Sequence, residues 1–338
     1  MAQAEQGIRI AIAGATSLRG KQLIEAIGSS DLAAAELCLF DEEIADGTLT
    51  EAAGEPALVR SVDEESFSGA RFVFFAGSAV FAQRHVAAAL AAGATVIDLS
   101  GGLSARPDAR SWIPTLDSIL DPPFQRASAA RGGGVYVSPS VPSQAAISLA
   151  AALRGANGRL RSIVFLQPVS ELGIAGIEEL EGQTVKLLSL QPMPQELFDM
   201  QVAFNLAQEY GPASKANLSA SRESLALDVA LYLKDRVPVP AVTMLQAPVF
   251  HSHGFMAYAE MDSPDHFVDR VEAAGLKVIS EGDPSPTNVS VAGESRPVLA
   301  RPERDRNAER GWWIWGAADN LSVAAANAIA IAENLLVS

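Results

Sequence analysis

The sequence predicts an α/β protein in which a domain with a parallel sheet precedes a second, α+β domain. Two observations lead to this prediction. Short apolar runs alternate with helical patterns through residues 1–137, and from residue 138 onward longer strand-like segments are mixed with helices. Strands that alternate with helices form right-handed βαβ units and a parallel sheet. The 338 residues are enough for two domains that each bury a core.

The first element is the run IRIAIAG at 8–14, a short strand that ends on a glycine. The segment SLRGKQLIEAI follows, and its leucines and isoleucines recur at helical spacing. A glycine turn that enters a helix can place backbone N–H groups against a pyrophosphate, although close packing also favours glycine there. Ser17 stands at the middle position of the motif, so the motif is degenerate. We predict a Rossmann-like, dinucleotide-binding turn with the cofactor residues Gly14, Thr16, Ser17, Leu18 and Gly20.

The remaining elements of the first half follow in order. ELCLF is predicted as a strand, RFVFFAG as a strand, FAQRHVAAALAAG as a helix and ATVIDLS as a strand, with an irregular acidic stretch after the first of them. Ligands of parallel sheets lie beyond the carboxyl ends of the strands. The residues that follow these strand ends are therefore further cofactor candidates, namely Asp41, Gly77 and Ser100.

The acidic run Asp41-Glu42-Glu43 follows the second strand. An acid at that strand end can accept hydrogen bonds from an adenosine ribose, and a solvated acidic loop is the alternative. In both cases three carboxylates repel a 2′-phosphate. The sequence therefore favours NAD over NADP.

Composition argues against several classes of protein. The formal charge of −15 argues against nucleic acid or an anionic membrane surface as the main partner. We see no secretory leader and no run of about 18 apolar residues, so no spanning helix is expected. The one cysteine, Cys38, lies in an apolar stretch and is predicted to be a core residue. We expect a cytoplasmic protein without disulfides, and we predict no metal site.

In the second half, RSIVFLQPVS predicts a strand, and AGIEELEGQTVKLL and SRESLALDVALYLKD predict helices. PAVTMLQAPVFHSHGFMAYAEM reads as one long β segment, in which a period of two places His251 and His253 on one sheet face. RGWWIWGA predicts a further strand, and DNLSVAAANAIAIAENLL a helix that returns to the first domain. The predicted boundaries are 1–137 for the dinucleotide-binding domain, 138–318 for the α+β domain and 319–338 for the last helix.

The order of these motifs resembles the aspartate-semialdehyde dehydrogenase family and is most similar to its Usg-type paralogues. The matching motifs run nearly from end to end: GATSLRG, VIDLSGGL, SPSVPSQ, LQPVSELGIAGIEELEGQT, QVAFNL, QAPVFHSHG and ADNLSVAAANAIAIAENL. The resemblance implies an NAD(P) cofactor and a homodimer formed through the second domain. It also implies a reaction in which a cysteine thiolate attacks the aldehyde, hydride passes to the nicotinamide and phosphate cleaves the thioester. A shared fold does not by itself establish the activity.

At three positions that match functional residues of the family, this chain has a residue that cannot carry out the family's role. Val141 stands at the position of the cysteine, in the turn VSPSVPSQ at 137–144. Gln246 stands at the arginine that binds the substrate carboxylate, and Ser104 at an arginine that contacts phosphate. We therefore expect a homologue that is inactive toward aspartate semialdehyde and keeps the fold, the dimer and an NAD(P) site.

Other roles implied by the resemblance keep their residues. His253 and Gln167 match catalytic positions, for proton transfer and substrate positioning, and Ser170 and Asn320 match cofactor positions. One alternative is an NAD(P)-dependent oxidoreductase that acts on an aldehyde or oxo group of a different substrate, with His253 as the acid. Another is nucleophilic attack by Ser140 or Ser143, although a hydroxyl is a weak nucleophile and serine is also a preferred N-cap. The third alternative is that the chain still catalyses the family's reaction.

Overall fold

In the computed structural model the described residues are 7–42, 48–52, 55–63, 65–120, 133–264 and 267–337. The chain divides into two compact units. The first comprises Met1–Pro114, Phe124–Ser140 and Ala324–Ser338, and the second comprises Thr115–Pro123 and Val141–Val323. The first contains a mainly parallel sheet and the second is α+β, which confirms the predicted fold class.

The strands of the first unit are β1 (Arg9–Ala13), β2 (Glu36–Asp41), β3 (Leu49–Ala52), β4 (Glu55–Ser61), β5 (Phe72–Phe75), β6 (Thr95–Asp98), β7 (Ala109–Ser111) and β8 (Val135–Val137). Within the described residues they form one sheet in the order β3-β4-β2-β1-β5-β6-β8-β7. Every neighbouring pair is parallel except β3 and β4, which are antiparallel.

The strands of the second unit are β9 (Arg159–Gln167), β10 (Ala241–Gln246), β11 (His253–Glu260), β12 (Lys277–Val278), β13 (Val298–Leu299), β14 (Glu303–Arg304) and β15 (Gly311–Ala318). Their order is β10-β9-β11-β15-β13-β12, and β14 pairs with β15. This sheet is mixed, because β9 and β10 are parallel whereas β11 is antiparallel to both β9 and β15.

The helices are α1 (Leu18–Ile27), α2 (Ala79–Ala91), α3 (Val141–Gly155), α4 (Gly173–Leu188), α5 (Leu218–Leu233), α6 (Phe267–Ala273) and α7 (Ser322–Leu336). On one face of the first sheet Ile10 and Ile12 pack in a buried cluster with apolar residues of α1 and the later part of α7. On the other face Ala11 and Ala13 pack with residues of α2. Burial on both faces explains why these strands read as short continuous apolar runs. In the described part of the chain, no helix is long and apolar enough to span a bilayer.

Two local expectations were wrong. The acidic stretch after β2 contains β3 and β4, and β4 pairs in parallel with β2. The strand β4 lies between β3 and β2, and Val59 is its deeply buried residue among those whose burial the structure describes, so the local apolar pattern is weak and the strand depends on long-range pairing. The long β segment is also divided, because β10 ends at Gln246 and β11 begins at His253. Ser252 has a φ of 69° there, His251 is exposed and His253 is buried, so the two histidines do not share a sheet face.

Candidate functional site

The carboxyl ends of four adjacent strands of the first unit meet at one edge of its sheet. The strands are β2, β1, β5 and β6, and the residues at or just after their ends are Asp41, Gly14, Gly77 and Ser100. The chain builds the sheet to one side of β1 first and then continues on the other side with β5, which makes the β1–β5 edge a topological switch point. The fold therefore brings together the cofactor candidates of the first unit.

The glycine turn between β1 and α1 is held against the end of β5. Gly14 has a φ of 96°, and a Cβ atom there would lie only 2.2 Å from the backbone nitrogen of Gly77. Ser17 caps α1, because its Oγ accepts a hydrogen bond of 2.9 Å from Gly20 N. The same Oγ donates to the carbonyl oxygen of Ala76 at 2.9 Å. The serine at the middle position thus fastens the turn to the neighbouring strand.

Two carboxylates of the acidic run bind backbone N–H groups at this edge. Asp41 is 8% exposed and accepts hydrogen bonds from Thr16 N at 2.6 Å, from Thr16 Oγ1 and from Glu42 N at 2.8 Å. Glu42 Oε1 accepts from Ser78 N at 3.1 Å, where α2 begins. A carboxylate has roughly four acceptor positions, so these three hydrogen bonds occupy most of the acceptor capacity of Asp41. Its contact with a ribose stays a prediction, and Glu43 lies outside the described residues.

The turn after β6 is organised by a buried acid. Asp98 accepts hydrogen bonds from Ser100 N at 2.8 Å, from Ser100 Oγ at 2.6 Å and from Leu103 N at 2.9 Å. Burial raises the pKa of Asp98 above its usual range. Ser104 is exposed in the same turn, and its N–H donates to Gly101 O at 3.3 Å. The backbone N–H and the hydroxyl of Ser100 are therefore both used to stabilise the turn.

Arg19 lies at this edge but is not among the cofactor residues predicted from the sequence. It lies in the first turn of α1, and its Nη1 donates to the carbonyl oxygen of Leu99 at 2.7 Å. A cation in the first turn of a helix opposes the helix dipole unless an anion is bound nearby. That misplaced charge was the available sequence signal.

In the second unit the parallel strands β9 and β10 place Gln167 beside Gln246. Gln246 is 0% exposed. Its Nε2 donates to the carbonyl oxygens of Gln167 at 2.9 Å and Ala247 at 2.8 Å. Its Oε1 accepts from Tyr210 Oη at 2.7 Å and from Gln167 Nε2 at 3.3 Å. These four bonds use the whole hydrogen-bonding capacity of the amide, so Gln246 has none left for a carboxylate.

Tyr210 is a second residue that the sequence did not reveal. Its ring packs against Phe198 with the centroids 5.1 Å apart, and its hydroxyl also accepts from Gln167 Nε2 at 3.2 Å. Burial raises the pKa of Tyr210 strongly, which keeps its hydroxyl protonated as the donor to Gln246. No local pattern marks a tyrosine in an irregular segment as part of such a cluster.

His253 begins β11 and is 1% exposed. Its Nε2 lies 3.0 Å from Oε1 of Glu171, a residue of the short 3₁₀ helix Val169–Leu172 that follows β9. Its Nδ1 is buried and has no hydrogen-bond partner among the residues that the structure describes. Phe165 meets the imidazole edge-on, with ring centroids 6.3 Å apart. Glu171 is the third residue that the sequence reasoning missed.

Ser170 and Asn320, predicted as cofactor residues, lie beside the start of the same strand. Asn320 Nδ2 donates to Ser170 Oγ at 3.1 Å, and Asn320 Oδ1 accepts from Ser252 N at 3.0 Å. The ends of β9 and β15 flank the beginning of β11, because β11 runs antiparallel to both. This end of the second sheet therefore holds His253, Ser170 and Asn320 together.

Val141 is the first residue of α3 and is 3% exposed, whereas Ser140 before it is exposed. Ser143 is buried, and its Oγ donates to Asp228 Oδ2 on α5 at 3.3 Å. Burial raises the pKa of Asp228. The nucleophilic role considered for Ser140 stays a prediction. Across the described ranges, no group of three or more His, Cys, Asp or Glu residues could hold a metal ion.

Comparison with known proteins matches two family descriptions to this chain. Residues 9–149 match "Semialdehyde dehydrogenase, NAD binding domain", and residues 151–323 match "Semialdehyde dehydrogenase, dimerisation domain". The chain belongs to the semialdehyde dehydrogenase family. The resemblance that the motifs indicate is confirmed. This semialdehyde dehydrogenase family member thus contains the family's NAD-binding domain and its dimerisation domain.

Individual members of the family align with almost the whole chain. The USG-1 protein homolog of Pseudomonas aeruginosa is 30% identical over 340 residues, which cover 98% of each protein. The structure of a probable aspartate-semialdehyde dehydrogenase from Pseudomonas aeruginosa superposes with a TM-score of 0.85 at 28% identity, covering 98% of this chain and 99% of that one. Aspartate-semialdehyde dehydrogenase II of Vibrio cholerae, solved in complex with ASA, gives 0.82 at 25% identity with the same coverage.

Proposed function

We propose that this semialdehyde dehydrogenase family member binds NAD but does not oxidise aspartate semialdehyde, and is a pseudoenzyme for that reaction. The observation that carries the proposal is Gln246, a fully buried amide whose donors and acceptors are all bonded within the protein. An arginine at this position would offer a bidentate partner to a substrate carboxylate. The amide offers no free group, so the substrate loses its main anchor.

Two further positions support the same conclusion. The resemblance implies a reaction that begins with attack by a thiolate, and the buried side chain of Val141 is a hydrocarbon at the start of α3. Ser104 is an exposed hydroxyl in place of a cation for phosphate. Nucleophile, carboxylate anchor and phosphate anchor are chemically unlike, so one nearby replacement cannot compensate for all three.

The carboxyl edge of the first sheet supports an NAD site. The start of α1 and the Arg19 guanidinium suit a pyrophosphate, which Gly14, Thr16, Ser17, Leu18 and Gly20 would hold. When bound, the nicotinamide accepts or supplies a hydride. Asp41 and Glu42 support NAD over NADP, because their carboxylates lie at the β2 end where a 2′-phosphate would meet them. Gly77, Ser100, Ser170 and Asn320 complete the proposed cofactor residues.

Calorimetric titration of NAD, NADP and their reduced forms into the purified protein tests the cofactor. We expect NAD or NADH to bind at least about tenfold more tightly than the phosphorylated forms, since like charges near a protein surface repel by one to a few kcal/mol. Replacing Glu42 with glutamine should narrow that difference, whereas Glu65→Gln, an exposed control in the same unit, should not. A preference for NADP, or no binding at millimolar concentration, would contradict the proposal.

Replacing Val141 with cysteine should not produce measurable oxidation of aspartate semialdehyde. The new thiol would still lack the arginine anchors for carboxylate and phosphate. The assay follows formation of reduced nicotinamide with semialdehyde and phosphate, for the wild type, for Val141→Cys and for a second buried replacement, Val137→Cys. Turnover by Val141→Cys but not by Val137→Cys would mean that other groups supply the anchors. Turnover by the wild type would refute the proposal outright.

A second candidate function is an NAD(P)-dependent oxidoreductase that acts on an aldehyde or oxo group of a different substrate. His253, with Glu171 at Nε2 and a buried Nδ1, favours this candidate, because a group able to move a proton is retained. In that reaction Gln167 would help to position the substrate, as the resemblance implies.

The second unit supports a homodimer, since it carries the dimerisation domain and exposes several large apolar side chains: Phe204, Leu206, Met256 and Trp313. A reducing cytoplasm is the proposed location, because Cys38 is a buried free thiol.

A further inference from the structure

We propose that Glu171 is a positioning residue that holds the proton of His253 on Nε2, so that Nδ1 accepts a hydrogen bond from a hydroxyl or N–H group of a ligand. This inference rests on the proposed function only in assuming that the second unit keeps a ligand site at His253. It assigns a role to a residue outside the set implied by the family resemblance, and it defines the chemistry of the group that the site takes.

The contact between the two side chains determines the tautomer. An ionised carboxylate can only accept hydrogen bonds, so the nitrogen 3.0 Å from Glu171 Oε1 must carry a hydrogen. If the imidazole is neutral, Nδ1 then has a bare lone pair. In the neutral imidazole the hydrogen therefore lies on Nε2, and the buried Nδ1 is the acceptor that has no partner among the described residues.

The backbone on both sides of the pair is fixed. The 3₁₀ helix that carries Glu171 is bound to the segment before β11, because Val169 N donates to Val249 O at 2.9 Å and Ser170 N donates to Phe250 O at 3.0 Å. The left-handed conformation of Ser252 is stabilised by its bond to Asn320 Oδ1. A strained residue beside a buried, oriented histidine is typical of a functional position. The pair is thus set by main-chain contacts and does not depend on two flexible side chains meeting by chance.

The orientation defines what the ligand must present. A bare nitrogen in a buried environment binds a donor strongly, because a buried acceptor without a partner is costly. A hydroxyl, an amine or an amide N–H satisfies it. A carboxylate oxygen at neutral pH brings a second lone pair and is repelled. When a proton passes from the ligand to Nδ1, the Glu171 carboxylate stabilises the resulting imidazolium.

Nitrogen NMR of the full chain with ¹⁵N-labelled histidine measures the tautomer directly. The signals of His253 are assigned with the His253→Gln variant, since the chain has four histidines. We expect the wild type at neutral pH to show a protonated Nε2 and a bare Nδ1. In both Glu171→Leu and Glu171→Gln the two tautomers should become more evenly populated, because leucine offers no hydrogen-bond partner and a glutamine amide can donate as well as accept. Glu178→Gln, an exposed change on α4, is the charge-matched control for Glu171→Gln and should change nothing.

Acetamide and acetate serve as probes of similar size that differ in having an N–H donor. Added to saturation, acetamide should shift the Nδ1 signal of the wild type, and acetate should not. Glu171→Leu should reduce the acetamide shift at least about twofold, in proportion to the loss of the bare-Nδ1 tautomer.

A proton on Nδ1 in the wild type, an unchanged tautomer in Glu171→Leu, or no acetamide shift would overturn the inference. Because the tautomer is read without nucleotide or turnover, its failure is distinguishable from a failure of NAD binding in the calorimeter.

Discussion

Replacing Gln183 with alanine is expected to lower the free energy of unfolding by about 3–5 kcal/mol. Gln183 lies on α4 and is 0% exposed. Its Nε2 donates to the carbonyl oxygens of Pro194 and Met200, both at 2.9 Å. Its Oε1 accepts from Val202 N at 2.7 Å and Ala203 N at 3.1 Å. Alanine leaves these backbone groups without their partner, and each such buried group costs about 1–3 kcal/mol.

Urea unfolding followed by tryptophan fluorescence measures the effect, since three tryptophans lie on β15 of the same unit. The matched control is Gln191→Ala. Gln191 is exposed, and its side-chain Oε1 accepts a surface hydrogen bond from Lys186 Nζ at 2.7 Å, so the loss of this side chain should change the free energy of unfolding by no more than about 0.5 kcal/mol. Equal effects of the two changes would show that the backbone groups around Gln183 find other partners.

Replacing Gln246 with arginine should also destabilise the protein strongly, by about 3–5 kcal/mol. The groups that bond to Gln246 are two carbonyls, an amide and a phenol, which are neutral and do not compensate a buried guanidinium. The larger side chain would also overfill a fully buried position. Restoring the family's arginine by itself is therefore not expected to restore the anchor.

Gln246→Met is the control, because it removes the same hydrogen bonds without burying a charge. Its cost should be smaller, about 1–3 kcal/mol for the partners that it leaves unpaired. Urea midpoints at one pH rank the three proteins. If the arginine variant is as stable as the wild type, the second unit has room for a carboxylate anchor and the proposed inactivity loses its main support.

Residues close together in the chain made much of the fold predictable. The alternation of β1, α1, β2, β5, α2 and β6 follows from apolar runs and helical spacing, which are properties of a few consecutive residues. The family could be identified from the order of short motifs, and the chain matches both of its domains. The Ser17 cap of α1 is likewise local, because it joins residues three positions apart.

The parts of the fold that the sequence did not predict depend on contacts between residues that are far apart in the chain. The strands β3 and β4 join the first sheet by pairing at its edge, where alternation is weak, so an irregular stretch was predicted. The division of the segment around Ser252 depends on a hydrogen bond to Asn320, which is 68 residues away. No periodicity in the segment itself contains that information, and the two histidines were therefore predicted on one face.

The sequence by itself determined the fold class, the family and the absence of a thiol at Val141. The tertiary structure decided how the remaining polar groups are used. Glu171 and His253 are 82 residues apart, and Tyr210 and Gln246 are 36 apart, yet each pair forms a direct hydrogen bond. Hydrophobic periodicity is a local property that a sequence displays directly. Partners of buried polar groups are set by how strands and loops meet in space, and only the folded chain defines them.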